Sequence, residues 1–101
     1  MARPRIELQR LLEETVGEGV KVYYQAPTKL VFPCVKYERS KIDIDHADNK
    51  PYIAQKQYTL TVIYRDPDSD LPDKIANLPS CSHDRKFVSD NLHHDIFTIY
   101  F

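Results

Sequence analysis

Apolar positions recur along this chain with two periods, one helical and one alternating. From Arg5 to Val16, Leu8, Leu11, Leu12 and Thr15 fall at helical spacing while Arg10, Glu13 and Glu14 turn outward, which predicts one amphipathic helix. Pro4 suits the first helical turn, and Gly17 with Gly19, the only glycines, supply the permissive backbone that ends it. Val20 to Tyr24 reads as a short strand closed by the turn Ala26-Pro27-Thr28. Leu30-Val31-Phe32-Pro33 leads into a second strand from Cys34, with Pro33 at its start, where a missing N–H costs least.

Between Cys34 and Asp45 the alternation is imperfect. Val35, Tyr37 and Arg39 point one way and Lys36, Glu38 and Ser40 the other, yet Ile42 and Ile44 fall on the second face. The apolar face switches near Ser40, as a bulge or a strong twist would make it. His46-Ala47-Asp48-Asn49-Lys50-Pro51 reads as a loop, and Tyr52 to Tyr64 as a third strand returning antiparallel to the second. Strands of about 12 residues at ~3.3 Å each make this hairpin an arm on the order of 40 Å long, so its tip should project.

Asp66 to Asn77 reads as a turn and a short helix with Ser69 or Asp70 as cap, Pro72 and Asp73 in the first turn, and Leu71, Ile75 and Leu78 as the apolar stripe. Pro79 stops it. Two last strands, about Ser80 to Val88 and Leu92 to Phe101, flank the hairpin turn Ser89-Asp90-Asn91. The order α-β-β-β-α-β-β predicts an α+β fold: a mainly antiparallel sheet, two helices packed on one face, and a long hairpin between the second and third strands. The last strand sets Phe97, Ile99 and Phe101 against Ile96, Thr98 and Tyr100, substantially apolar on both sides, so the face away from the helices is expected to be covered by another subunit.

Length and composition bound this picture. The 101 residues suit one domain, 1–101, that buries roughly 60–70% of the unfolded chain's surface. With 42% hydrophobic and 29% charged residues and no run near the ~20 apolar residues of a bilayer span, the chain is expected to be neither disordered nor membranous. Fourteen Lys and Arg against fifteen Asp and Glu argue against a sequence-independent grip on DNA. The polar start Met1-Ala2-Arg3-Pro4-Arg5 does not read as a signal peptide, so synthesis in the cytoplasm is expected, with Cys34 and Cys81 as ordinary thiols.

Candidate chemistry adds little. Cys34, Cys81, His46 and His83 lack any zinc-ligand spacing, and Asp43-Ile44-Asp45-His46 lacks the bent loop of a hard-cation site. Asp66, Asp68, Asp70 and Asp73 superficially match a calcium loop, but Pro67 and Pro72 interrupt it and the glycine and final glutamate are missing, so turn and cap explain them better. His93 and His94 should point to opposite faces of a strand. No nucleophile elbow or phosphate loop is present, so no catalytic residue, metal or cofactor is expected.

Five short segments, three of them in the second half of the chain, carry a family resemblance. They are Phe32-Pro33-Cys34-Val35-Lys36-Tyr37-Glu38-Arg39, Asp48-Asn49-Lys50-Pro51-Tyr52, the run from Tyr58 through Asp66-Pro67-Asp68-Ser69, Ile75-Ala76-Asn77-Leu78-Pro79, and Phe87-Val88-Ser89-Asp90-Asn91-Leu92-His93-His94-Asp95-Ile96-Phe97. Together they resemble small neck proteins encoded among the head–tail genes of long-tailed bacteriophages, and the element order agrees with the tail-completion, or tail-terminator-like, class. That resemblance implies a virion structural protein, not an enzyme, that forms a ring, commonly hexameric, at the head-proximal end of the tail. The ring would end the tail tube, join it to the head connector and let DNA through its lumen without sequence-specific binding.

Docking candidates under that reading are Asp48, Asn49, Lys50, Pro51 and Tyr52 at the arm tip, with Tyr52 as an aromatic anchor. Asp66, Asp68 and Asp70 in the acidic turn serve either docking or repulsion of DNA, and Ile99 and Phe101 lie on the last strand. Alternatives are the sibling adaptor or stopper of the connector. From another class, a small cytoplasmic regulatory protein would act through His46 and its neighbouring carboxylates.

Overall fold

A computed structural model describes residues 4–25, 29, 31–47 and 50–101. Its elements run α1 (Arg5–Val16), β1 (Lys21–Tyr24), β2 (Cys34–Ala47), β3 (Lys50–Tyr64), α2 (Leu71–Ala76), β4 (Cys81–Ser89) and β5 (Leu92–Tyr100). The fold is α+β, in the order read from the sequence. Helix α1 starts where the Pro4 carbonyl accepts from Glu7 N–H at 3.1 Å. It stops at Gly17, whose φ of 77° only glycine adopts cheaply and whose N–H reaches the Glu13 carbonyl at 3.0 Å.

The strands form one sheet in the order β1-β2-β3-β5-β4, antiparallel except for the parallel pair of β1 and β2. Period-two alternation sends Tyr58, Leu60, Val62 and Tyr64 of β3 to the helix side, opposite Val35 and Tyr37 of β2 and Phe97 and Ile99 of β5. Leu8, Leu12 and Val16 of α1 and Leu71 and Ile75 of α2, with Leu78, close over them as one core. Each fully buried aliphatic side chain contributes about 1.5–3 kcal/mol.

A polar relay seats α1 on the sheet: Arg5 donates to the Tyr37 hydroxyl at 2.8 Å, Tyr37 donates to Gln9 Oε1, and Gln9 Nε2 donates to the Val22 carbonyl at 3.3 Å. The Arg5 guanidinium also lies 4.4 Å from the centre of the Tyr24 ring.

The irregularity expected at Ser40 is a register shift of the β2–β3 ladder between Arg39 and Lys41, with a second between Asp43 and Ile44. Beyond the first shift β2 and β3 continue as a two-stranded ribbon, since β1 pairs with β2 only as far as Tyr37 and β5 pairs with β3 only from Gln57 onward. The ribbon makes the molecule long, 51 × 27 × 24 Å. Its strands reach closer to the tip than the sequence suggested: His46, Ala47, Lys50 and Pro51 are strand residues, because the backbone ladder runs on to the pair Ala47 and Lys50.

Strands β4 and β5 are closed by Asp90 and Asn91, with φ values of 53° and 62°. Two successive left-handed residues make the primed turn that matches the twist of a hairpin. No helix among the described residues is long and apolar enough to cross a membrane.

Candidate functional site

The sequence-derived docking residues fall at three places. Asp48 and Asn49 lie outside the described residues. Lys50, Pro51 and Tyr52 begin β3 at the end of the arm, in register with Ala47, His46 and Asp45. The acidic turn sits at the other end of β3, so the arm end and the turn are separated by the 15 residues of that strand. At ~3.3 Å per residue this is close to the long dimension of the molecule.

The turn's aspartates do structural work. Asp66 Oδ1 accepts from Asp68 N–H at 3.0 Å and the Asp66 carbonyl from Ser69 N–H at 3.0 Å, which folds the chain back before α2. Ser69 Oγ accepts from Leu71 N–H at 3.2 Å, whereas the Asp70 side chain makes no capping bond and instead lies 3.8 Å from Lys74 Nζ. Beside the turn, Phe32, Pro33, Tyr64, Arg65, Asp66 and Ser69 line a mostly apolar cleft of about 190 Å³, over which Arg65 approaches the Phe32 ring at 5.9 Å.

Ile99 and Phe101 are not surface residues. They are 1% and 4% exposed, inside the core under the helices, so they cannot form a docking face in this fold. Their phase on β5 is set by Phe97, and both helices cover that side. The opposite side of β5 presents Leu92, His94 and Ile96, half-buried, and Tyr100, 38% exposed. Across the ladder from β5, Phe87 stacks on His94 with ring centres 4.6 Å apart, and Arg85 approaches Phe87 at 5.9 Å.

His93 and His94 separate as alternation requires. His93 stacks on Tyr64 on the helix side at 5.3 Å, while His94 joins Phe87 on the other. Cys34 and Cys81 are free and sit on β2 and β4, with β3 and β5 between them.

One cluster escaped the sequence reading. Asp95 is 4% exposed and in phase with Phe97 and Ile99; its Oδ2 accepts from the Tyr64 hydroxyl at 2.6 Å and its Oδ1 pairs with His83 Nε2 at 2.9 Å. Tyr64 comes from β3 and His83 from β4, so one carboxylate binds three strands. The sequence signal was Asp95 itself, a charge two residues before Phe97 in the core-facing row. Burial first, and then Asp95 accepting its hydrogen bond, push the Tyr64 phenol well above its ordinary value.

An aspartate that orients a half-exposed histidine also resembles the support of a general base. Cys81 lies on the same side of β4 two residues away, and burial, with the Asp84 charge adding to it, pushes its thiol up to about 11. A protonated thiol is a poor nucleophile, and the two bonds to Asp95 tie β3, β5 and β4 together.

No family model matches the chain, and no curated protein is significantly similar to it.

Proposed function

We propose that this protein is a neck component of a long-tailed bacteriophage, a virion structural protein that acts by binding. Copies associate into a closed ring, hexameric in the resemblance that motivates the reading. The ring ends the tail tube on one side and docks to the stopper or adaptor of the head connector on the other, with DNA passing through its lumen. The observation that supports this most is the separation of two unlike ends along one 51 Å molecule: an arm in which, among the described residues, only β2 and β3 pair, and a charged, cleft-bordered turn. A subunit whose ends differ can give a ring two different faces, and head-to-tail contacts that close on themselves avoid a filament.

The test uses purified protein with isolated tail tubes, followed by electron microscopy and light scattering. Rings, or density at one end of the tubes only, are the expected result. A monomer that ignores tubes, together with normal joined particles from a phage lacking the gene, would overturn the reading.

A further inference from the structure

The sheet has two outer edges, and they differ. On β1, four residues long, the Val22 carbonyl is occupied by the Gln9 side chain at 3.3 Å. On β4, nine residues long, Ser82 through Ser89 are all exposed. Tyr100 donates its N–H to the Ser80 carbonyl at 3.1 Å, and Cys81 N–H is taken by the Leu78 carbonyl at 3.3 Å. Alternation in an antiparallel ladder then turns the backbone groups of Ser82, Arg85, Phe87 and Ser89 toward β5 and those of His83, Lys86 and Val88 away from the sheet. An outer edge of this kind is a template for another strand.

The arm is the complementary feature. Residues 42–47 of β2 pair with β3 on one side, and among the described residues no strand pairs with the other. An isolated two-stranded ribbon is marginal in water, so this one gains from a third strand. It cannot reach its own β4, because it runs away from the body along β2 and β3 while β4 lies at the far edge beyond β5.

Charge favours the match. Past the first register shift, residues 41–47 of the arm's β2 strand carry Asp43 and Asp45 against Lys41. On β4, Arg85 and Lys86 face a single acid, Asp84, whose carboxylate already accepts from the Thr98 hydroxyl at 2.6 Å. The register shift between His83 and Arg85 and this run of charges blunt the edge against indiscriminate pairing and leave it selective for an acidic strand.

We propose that the outer edge of β4 accepts the β2–β3 arm of a second copy of this chain by strand addition. The inference deepens the assembly reading above and rests on it in requiring copies to associate. His83, Lys86 and Val88 supply the main-chain donors and acceptors, and Arg85 and Lys86 favour the aspartates of the incoming arm.

Self-association of the full chain is measured by analytical ultracentrifugation, with Lys86→Pro as the first variant. Proline there removes an outward N–H that β5 does not use, so the fold should stand while association weakens about tenfold or more. Reversing the edge (Arg85→Glu with Lys86→Glu) or the arm (Asp43→Lys with Asp45→Lys) should weaken association likewise, and combining both reversals in one chain should restore it. Should the proline variant misfold, amide exchange in the wild-type chain decides: the Lys86 and Val88 amides should become protected as concentration rises.

Association unaffected by these changes, no recovery in the double reversal, unprotected edge amides, or a chain that stays monomeric would each overturn the proposal. Rings that bind tail tubes but survive Lys86→Pro would refute this contact and leave the neck reading standing. Edge-dependent association without tube binding would do the reverse.

Discussion

The Tyr64 hydroxyl donates a 2.6 Å hydrogen bond to Asp95 on the adjacent strand, placing a buried carboxylate in the row otherwise held by Phe97 and Ile99. With His83 on the other oxygen, the pair crosses from β3 through β5 to the edge strand β4. A carboxylate in that position is tolerated only while both donors stay.

Tyr64→Phe removes one donor and leaves the ring in place. The expected loss is about 1.5–3 kcal/mol, the range for hydrogen bonds to charged groups, read as a lower urea midpoint with an unchanged slope. A variant as stable as the wild type would show that the carboxylate is satisfied elsewhere.

Alkaline pH should destabilise the fold. Burial is the first cause raising Cys34 and Cys81, each to about 11 from an ordinary 9.0, and it also raises Tyr37, Tyr58 and Tyr64 above 10.0. The folded state thus favours the neutral form of every one of these groups. Their contribution is complete below the unfolded values of 9.0 and 10.0 and is lost as pH climbs toward the folded ones. Urea midpoints should fall steadily above about pH 9, and replacing Cys34 with Ala should flatten the part between about 9 and 11.

Tyr37→Phe cuts the relay from Arg5 to Val22 and leaves Gln9 Oε1 without its donor. The cost should be about 0.5–1.5 kcal/mol. It should appear as faster amide exchange in α1 and β1, while the β5 amides remain protected.

In the β4–β5 turn, Asn91 holds a φ of 62°. Asn91→Gly should be neutral or stabilising, whereas Asn91→Val should cost on the order of 1–2 kcal/mol, because a β-branched side chain resists the left-handed region. Thermal unfolding of the two variants checks the sign.

At the arm, Tyr52→Ala should leave the unfolding midpoint near wild type, since Tyr52 lies on the two-stranded ribbon beyond the pairing of β5 with β3. Under the neck reading, head–tail joining in a complementation assay should fall. Unchanged infectivity would remove Tyr52 from the docking surface.

Local patterns in the sequence carried most of the architecture. The spacing of Leu8 and Leu12 specified α1, the face switch at Ser40 located the first register shift, and Asp90-Asn91 specified the hairpin turn, because periodicity, bulges and turns are short-range effects. The aspartates from Asp66 to Asp70 were legible as turn and helix-start chemistry for the same reason, although the capping bond comes from Ser69.

Which surface faces what was set by long-range packing. Alternation showed that β5 has two apolar sides, but the helices' choice of side buried Ile99 and Phe101 and left Tyr100 exposed. Asp95 meets a tyrosine 31 residues away and a histidine 12 away only because β3 and β4 flank β5, and β4 becomes an edge by the same strand order. Strand order and helix placement are set by the sum of many weak long-range contacts, which no local pattern contains.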